Sequence, residues 1–242
     1  MQRLAECEEM DKTPSAVGEG MPTGMRLALD ALVMRDPRLA VIEAAAGPVP
    51  WRVRTPGFAG LLQIVVGQVI SAQSAAAIWG RLAALPRALT PAGLLALPPE
   101  VLRGAGLSGF KAAHARALAA ACLDGRLDLD ALPGLDDAAA MAAITAVRGL
   151  GPWTAEVYLV FALGRQDVFP AGDVALAGAV ADLFGLAERP GPRALRGLAE
   201  GWAPDRGLAA RLLWHWWRYR TGRPSVDELR GNARAITPPA IS

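Results

Sequence analysis

Nine residues, Val147-Arg148-Gly149-Leu150-Gly151-Pro152-Trp153-Thr154-Ala155, constrain the architecture of this chain more than any other stretch. A helix ends at a glycine turn and a second helix starts at once on Pro152. Gly149 and Gly151 allow the chain to turn tightly without side-chain obstruction. Pro152 suits the first position of a helix, where an N–H would have no partner. The junction leaves bare amides at a helix N-terminus, a geometry that suits a phosphate. Gly and Pro punctuate loops of every kind, so the same turn also serves as a plain connector between helices. Asp173 follows 22 residues after Gly151, in Phe169-Pro170-Ala171-Gly172-Asp173. Its place before Val174-Ala175-Leu176 suits a helix N-cap. The same carboxylate, beside a phosphate anchor, is the candidate catalytic acid, and the two roles can coexist.

The rest of the chain reads as short helices separated by Gly and Pro. The expected helices are Met25 to Met34, Arg38 to Ala46, Phe58 to Gly67, and one capped by Ser71 that runs to Leu85. Then come Thr90 to Leu95, Pro99 to Gly104, Phe110 to Asp124, Asp136 to Val147 and Pro152 to Leu163. Asp173 to Phe184, Arg193 to Trp202 and Arg206 to Thr221 complete the set. Trp51-Arg52-Val53-Arg54 is the one short strand candidate, and convincing β alternation is absent. The fold class is therefore all-α. Residues 1–23 have mixed charge and no hydrophobic period, which predicts a disordered leader. The helical domain is expected over residues 24–242, with a loose tail from Gly222.

Of 242 residues, 52% are hydrophobic, enough for a substantial core. The richest apolar run, Leu61 to Ile70, is broken by Gln63, Gly67 and Gln68, so no membrane span is expected. The N-terminus is acidic and lacks the order of a signal peptide, so a cytoplasmic protein is the default. Cys7 and Cys122 make neither a disulfide framework nor a four-cysteine site. His114 and His215 stand far apart, so no metal site is expected. Net charge is +2, yet nearly all of the 25 basic residues are arginine, the better bidentate donor to phosphate. Biased genome composition accounts for such an excess equally well.

The stretch from Val147 to Leu176 resembles the helix–hairpin–helix, Gly/Pro-rich loop and aspartate signature of the HhH-GPD base-excision DNA glycosylase superfamily. It looks most like the 3-methyladenine DNA glycosylase II branch. Ile64-Val65-Val66-Gly67-Gln68-Val69-Ile70-Ser71 is similar to the family's Gln-rich segment before its wedge helix. Leu102 to Ala119 and Trp202 to Trp214 resemble further family helices. The resemblance covers roughly residues 25–221. It implies a two-lobed helical fold with the active-site cleft between the lobes. The central lobe would span about 58–165, including the hairpin at 141–163, and the second lobe 24–57 plus 166–221.

The resemblance also implies roles. Asp173 would stabilise positive charge on the sugar and orient or deprotonate the attacking water. Trp153 and Trp214 match base-pocket positions, and Tyr158 is a third pocket candidate. Val69 matches the intercalating wedge, and Gln68 would touch a neighbouring or opposite base. Ser71, Arg148, Gly149, Leu150, Gly151, Thr154 and Arg165 are the remaining DNA-contact candidates. No cofactor is expected, although the hairpin carbonyls of this family can hold a monovalent cation. The partner is double-stranded DNA containing damaged bases, and a monomer is expected. Too few residues precede Phe58 for the N-terminal β-rich domain of larger relatives. The position of the lysine in bifunctional relatives is Trp153 here, which implies a monofunctional enzyme that leaves an abasic site. Tryptophan faces attract cations, and the pocket candidates include no general acid, which together suit cationic 3-methyladenine- or 7-methylguanine-like bases. Asp167 is expected to hydrogen-bond the loop, and Trp216 and Trp217 to pack. Other readings are a glycosylase for another lesion, a non-catalytic hairpin DNA binder, and a helical interaction module.

Overall fold

The computed structural model describes residues 20–223. Among them every regular element is helical. In chain order these are α1 (Thr23–Arg35), α2 (Ala40–Ala46), α3 (Phe58–Gly67), α4 (Ala72–Ala83), α5 (Pro91–Ala96) and α6 (Pro99–Gly104). They continue with α7 (Gly109–Leu123), α8 (Asp137–Thr145), α9 (Pro152–Phe161), α10 (Val174–Leu183), α11 (Pro192–Ala199) and α12 (Arg206–Thr221). The starts follow local chemistry. Ser71, Thr90, Ser108, Asp136 and Asp173 each accept a first-turn N–H through a side-chain oxygen. Each such cap is worth about 1 kcal/mol. Proline occupies the first turn of α5, α6, α9 and α11, where its missing N–H costs nothing.

Several boundaries differ from the sequence reading. Residues 20–23 are not a loose leader: Arg26 N–H donates to Pro22 O at 3.0 Å and Met21 packs on the core. The remainder of the expected leader and most of the expected tail lie outside the described residues. The segment read as Arg38 to Ala46 begins with a separate 3-10 turn, Pro37–Leu39, because Asp36 caps the Arg38 amide. The helix expected to run to Trp202 gives way after Ala199 to the 3-10 turn Glu200–Trp202. Trp51 to Arg54 forms no strand. It is extended backbone held by Arg54 N–H donating to Phe161 O at 2.8 Å.

Apolar side chains gather in two clusters. One draws on residues from Phe58 to Val168. The other joins Leu29 to Val49 with Phe169 to Trp216. Helix α3 packs against α4, α7 and α9, so it is buried nearly all round and its sequence is apolar almost throughout. Helix α12 packs against α1, α2 and α10. Trp214 on α12 touches both clusters. Trp216 is buried, its indole N–H donating to Asp182 at 2.7 Å, and the Trp217 ring lies over Gly178. Trp216 and Trp217 thus pack.

Candidate active site

Asp173 occupies the N-cap of α10 and is 9% exposed. Its Oδ1 accepts the backbone N–H groups of Ala175 and Leu176 at 2.8 and 2.9 Å. Its Oδ2 accepts the indole N–H of Trp153 at 2.8 Å. The cap and the first turn of α9 therefore converge on one carboxylate, and three N–H donors fix its orientation. Around it lies a cleft of about 230 Å³. Ile64 and Gly67 of α3, Val157 and Phe161 of α9 and Trp214 of α12 supply apolar wall. Phe161 and Trp214 meet with ring centroids 5.1 Å apart.

Polar groups line the cleft as well: Gln63, Arg52, Arg54 and Arg218. The sequence reading missed all four. The arginines come from a loop and a distant helix, and no spacing marks them. Gln63 carried a signal, since it interrupts an otherwise apolar helix. Behind the cleft, buried Arg211 donates to Arg52 O at 2.5 Å and Val160 O at 2.7 Å. Its guanidinium stacks 4.3 Å from the Trp51 centroid and 4.5 Å from that of Phe161. Burial lowers its pKa to about 10, so it stays charged near neutrality.

The structure brings Trp153, Trp214 and Asp173 together, but not Tyr158. The Tyr158 ring is fully buried in the first cluster and its hydroxyl accepts Gly57 N–H at 2.8 Å. It faces inward on α9 because its neighbours there are core residues. Thr154 is 1% exposed and its hydroxyl accepts from Gln68 Nε2 at 2.8 Å. Gln68 also donates to Gly149 O at 3.3 Å. These two side chains bolt the α3–α4 loop to the hairpin instead of reaching outward. Leu150 is buried and its N–H donates to Val147 O, so neither its side chain nor its amide faces a ligand. Arg165 is drawn inward by the carbonyls of Leu132, Pro133 and Leu135. Ser71 Oγ is engaged by the Ser74 amide as a cap. Asp167 pairs with Arg206 at 2.8 Å, which holds its carboxyl below the usual range.

At the surface are Val69, Arg148 and the turn. Val69 is fully exposed and adopts φ +56°, an outlier for a β-branched residue. Such strain persists where the surroundings enforce it, often at functional sites. Arg148 and Gly151 are exposed. Gly149 has φ +89°, and a Cβ there would come within 2.1 Å of the His114 ring. Only glycine fits. The N–H groups of Gly149 and Gly151 have no backbone acceptor among the described residues.

Comparison with known proteins places this geometry. The family model for the HhH-GPD superfamily base excision DNA repair protein matches residues 62–204. DNA-3-methyladenine glycosylase 1 of Schizosaccharomyces pombe is 28% identical over 158 residues, covering 64% of this chain and 69% of that protein. A crystal structure of a DNA-3-methyladenine glycosidase from Bacillus halodurans superposes with TM-score 0.64 at 32% identity, covering 84% of this chain and 95% of that one. The S. pombe 3-methyladenine DNA glycosylase in complex with abasic DNA shares the fold, with TM-score 0.73 at 24% identity over 79% of this chain and 95% of that one. The chain spans between 32% and 69% of the lengths of three curated relatives it matches. With the hairpin, Trp153 and Asp173 all inside the matched span, the chain belongs to the HhH-GPD superfamily of base excision DNA repair proteins.

Proposed function

We propose that this chain is a monofunctional DNA glycosylase that excises alkylated bases from duplex DNA and leaves an abasic site. The observation that carries the reading is a carboxylate, Asp173, held by three N–H donors at an aromatic cleft beside an exposed glycine turn. The turn presents the free amides of Gly149 and Gly151 to the sugar–phosphate strand. Val69, exposed in the chain between the cleft-lining Gly67 and Ile70, would be the wedge that fills the gap left by an extruded nucleotide. In the cleft, the C1′–N bond breaks with its electron pair leaving on the base. An N3- or N7-alkylated base departs neutral because it started cationic. Positive charge on the sugar is stabilised by Asp173. Water then adds at C1′, and its proton passes to Asp173 and on to solvent.

A lyase step needs an amine at the sugar. Lys111 is the one lysine among the described residues, and its ammonium donates to Val66 O at 2.7 Å. It does not line the cleft. The backbone carbonyls of Val147 and Gly149 are hard donors that fit an alkali cation, each retaining a lone pair beside the N–H it already accepts. Such an ion would brace the turn against phosphate.

Duplex oligonucleotides bearing 3-methyladenine, 7-methylguanine, hypoxanthine or uracil test the reading. Strand cleavage only after hot alkali, on the alkylated substrates, is the expected result. Cleavage without alkali, or a covalent adduct trapped by borohydride, overturns the monofunctional assignment. Activity confined to uracil or hypoxanthine overturns the alkylated-base assignment.

A further inference from the structure

Arg211 is a buried cation on a helix face that is otherwise apolar. Its neighbours on α12, Leu208, Ala209, Ala210, Leu212 and Leu213, are all buried, and Arg211 itself is 7% exposed. Taking a guanidinium out of water carries a desolvation cost that an apolar side chain avoids. What the guanidinium touches in return comes from two separate parts of the chain. It donates to the Val160 carbonyl and stacks on the Phe161 ring, both in α9. It also donates to the Arg52 carbonyl and stacks on the Trp51 ring, both in the extended segment before α3. Phe161 packs on the first apolar cluster and Trp51 on the second. Arg211 therefore joins the two clusters behind the cleft.

Each of these contacts bears on a group that lines the cleft. Arg52 and Arg54 line it from a segment that belongs to no regular element. That segment is tied to α9 by Arg54 N–H donating to Phe161 O at 2.8 Å and by the Arg211 fork. Phe161 ends α9, where helical carbonyls lack intrahelical partners. Arg211 takes one of those carbonyls, and a cation is favoured at a helix C-terminus. The Phe161 ring in turn meets Trp214, the cleft residue one turn after Arg211 on α12. We propose that Arg211 is a positioning residue for excision. Its fork and its flat faces fix Phe161 and the Arg52–Arg54 segment as walls of one cleft, so that the extruded nucleotide meets Asp173 in a productive pose. Lysine supplies the charge but neither the planar fork nor the stacking face. This inference rests on the glycosylase reading above.

The test uses the full chain, with enzyme in excess over duplex bearing 3-methyladenine or 7-methylguanine, at a temperature where circular dichroism shows each variant folded. Arg211→Lys is expected to slow single-turnover excision about 10- to 100-fold, the scale of a misplacement of up to about 1 Å. Its affinity for undamaged duplex should be unchanged, because the hairpin turn grips that DNA outside the cleft. Trp51→Leu keeps the guanidinium and removes the ring of the other segment, so it should slow excision in the same direction even if Arg211→Lys proves unstable. Added to Phe161→Leu, Arg211→Lys should cost less than it does alone, because the ring through which it acts is gone. Wild-type rates in Arg211→Lys or Trp51→Leu overturn the proposal. So do fully additive losses in the double variant. Excision and undamaged-duplex affinity that fall in step overturn it too, and make Arg211 a general support of the fold. A wild type that releases neither base overturns the glycosylase reading and this inference with it, a failure visible before any variant is made.

Discussion

Asp173 shows how one side chain serves two purposes at the scale of a residue. Its Oδ1 caps α10 and its Oδ2 holds the Trp153 indole. Asparagine is an equally good cap, so Asp173→Asn should retain the fold, with Tm lowered only by the loss of the Trp153 bond, whose accepting Oδ2 becomes an N–H donor. Excision should nevertheless fall about 10²–10⁴-fold, the usual range for losing a charge or a general base in a reaction of this kind. Near-normal single-turnover rates in that variant would remove Asp173 from the chemistry. Val69 makes the complementary case. Its left-handed backbone stores about 1–3 kcal/mol of strain, and its side chain touches solvent only. Val69→Gly should therefore raise the unfolding midpoint while lowering excision from duplex more than from single-stranded DNA. A variant losing both stability and activity would place Val69 in the core instead.

At the scale of an element, the hairpin is held as much from outside as from within. Gly149 turns where only glycine fits, because the His114 ring of α7 lies against it. Gln68, between α3 and α4, ties the turn through Gly149 O and Thr154 Oγ1. Gln68→Leu leaves the buried Thr154 hydroxyl without that partner, at a cost of about 1–3 kcal/mol. We expect a lower Tm and faster amide exchange concentrated at residues 147–154, with affinity for abasic duplex reduced in step. Unchanged exchange there would mean that the hairpin stands without this brace. Sequence reading assigned Gln68 and Thr154 to DNA because it ranks residues by type and position along the motif. It had no access to the fact that the two point at each other.

At the scale of the whole molecule, α9 carries a buried acid across the boundary between the two clusters. Glu156 is 5% exposed and faces Arg196 of α11 at 3.5 Å. Burial pushes its pKa up to about 7, against the attraction of Arg196. A carboxyl whose folded pKa is raised favours folding less as pH climbs from its unfolded value toward the folded one. Stability should therefore decline as pH rises from about 4.5 to 7. Glu156→Gln should exceed the wild type in Tm at pH 8, with the gap narrowing as pH is lowered through that window. A gap independent of pH, measured by thermal scans in matched buffers, would show that Glu156 stays ionised throughout.

Much of this protein was legible in one dimension. The helices, their caps and the hairpin follow from Ser, Thr and Asp before apolar periods and from Gly and Pro at turns. These are local effects, decided within four residues of backbone. Asp173 and Trp153 were legible because a motif of fixed spacing carries them. Tyr158 went the other way: an aromatic on the right helix, it turns its ring inward to meet Gly57, a partner 101 residues away. Gln63, Arg52, Arg54 and Arg218 reach the cleft from three separate segments, and nothing local announces where they end. Sequence alone determined which stretches are helical and which turn could meet a phosphate, since hydrogen bonding and backbone sterics act between near neighbours. Which polar groups line the cleft and which are consumed as internal braces was decided only by tertiary packing, because burial and partnership are properties of residues far apart in the chain.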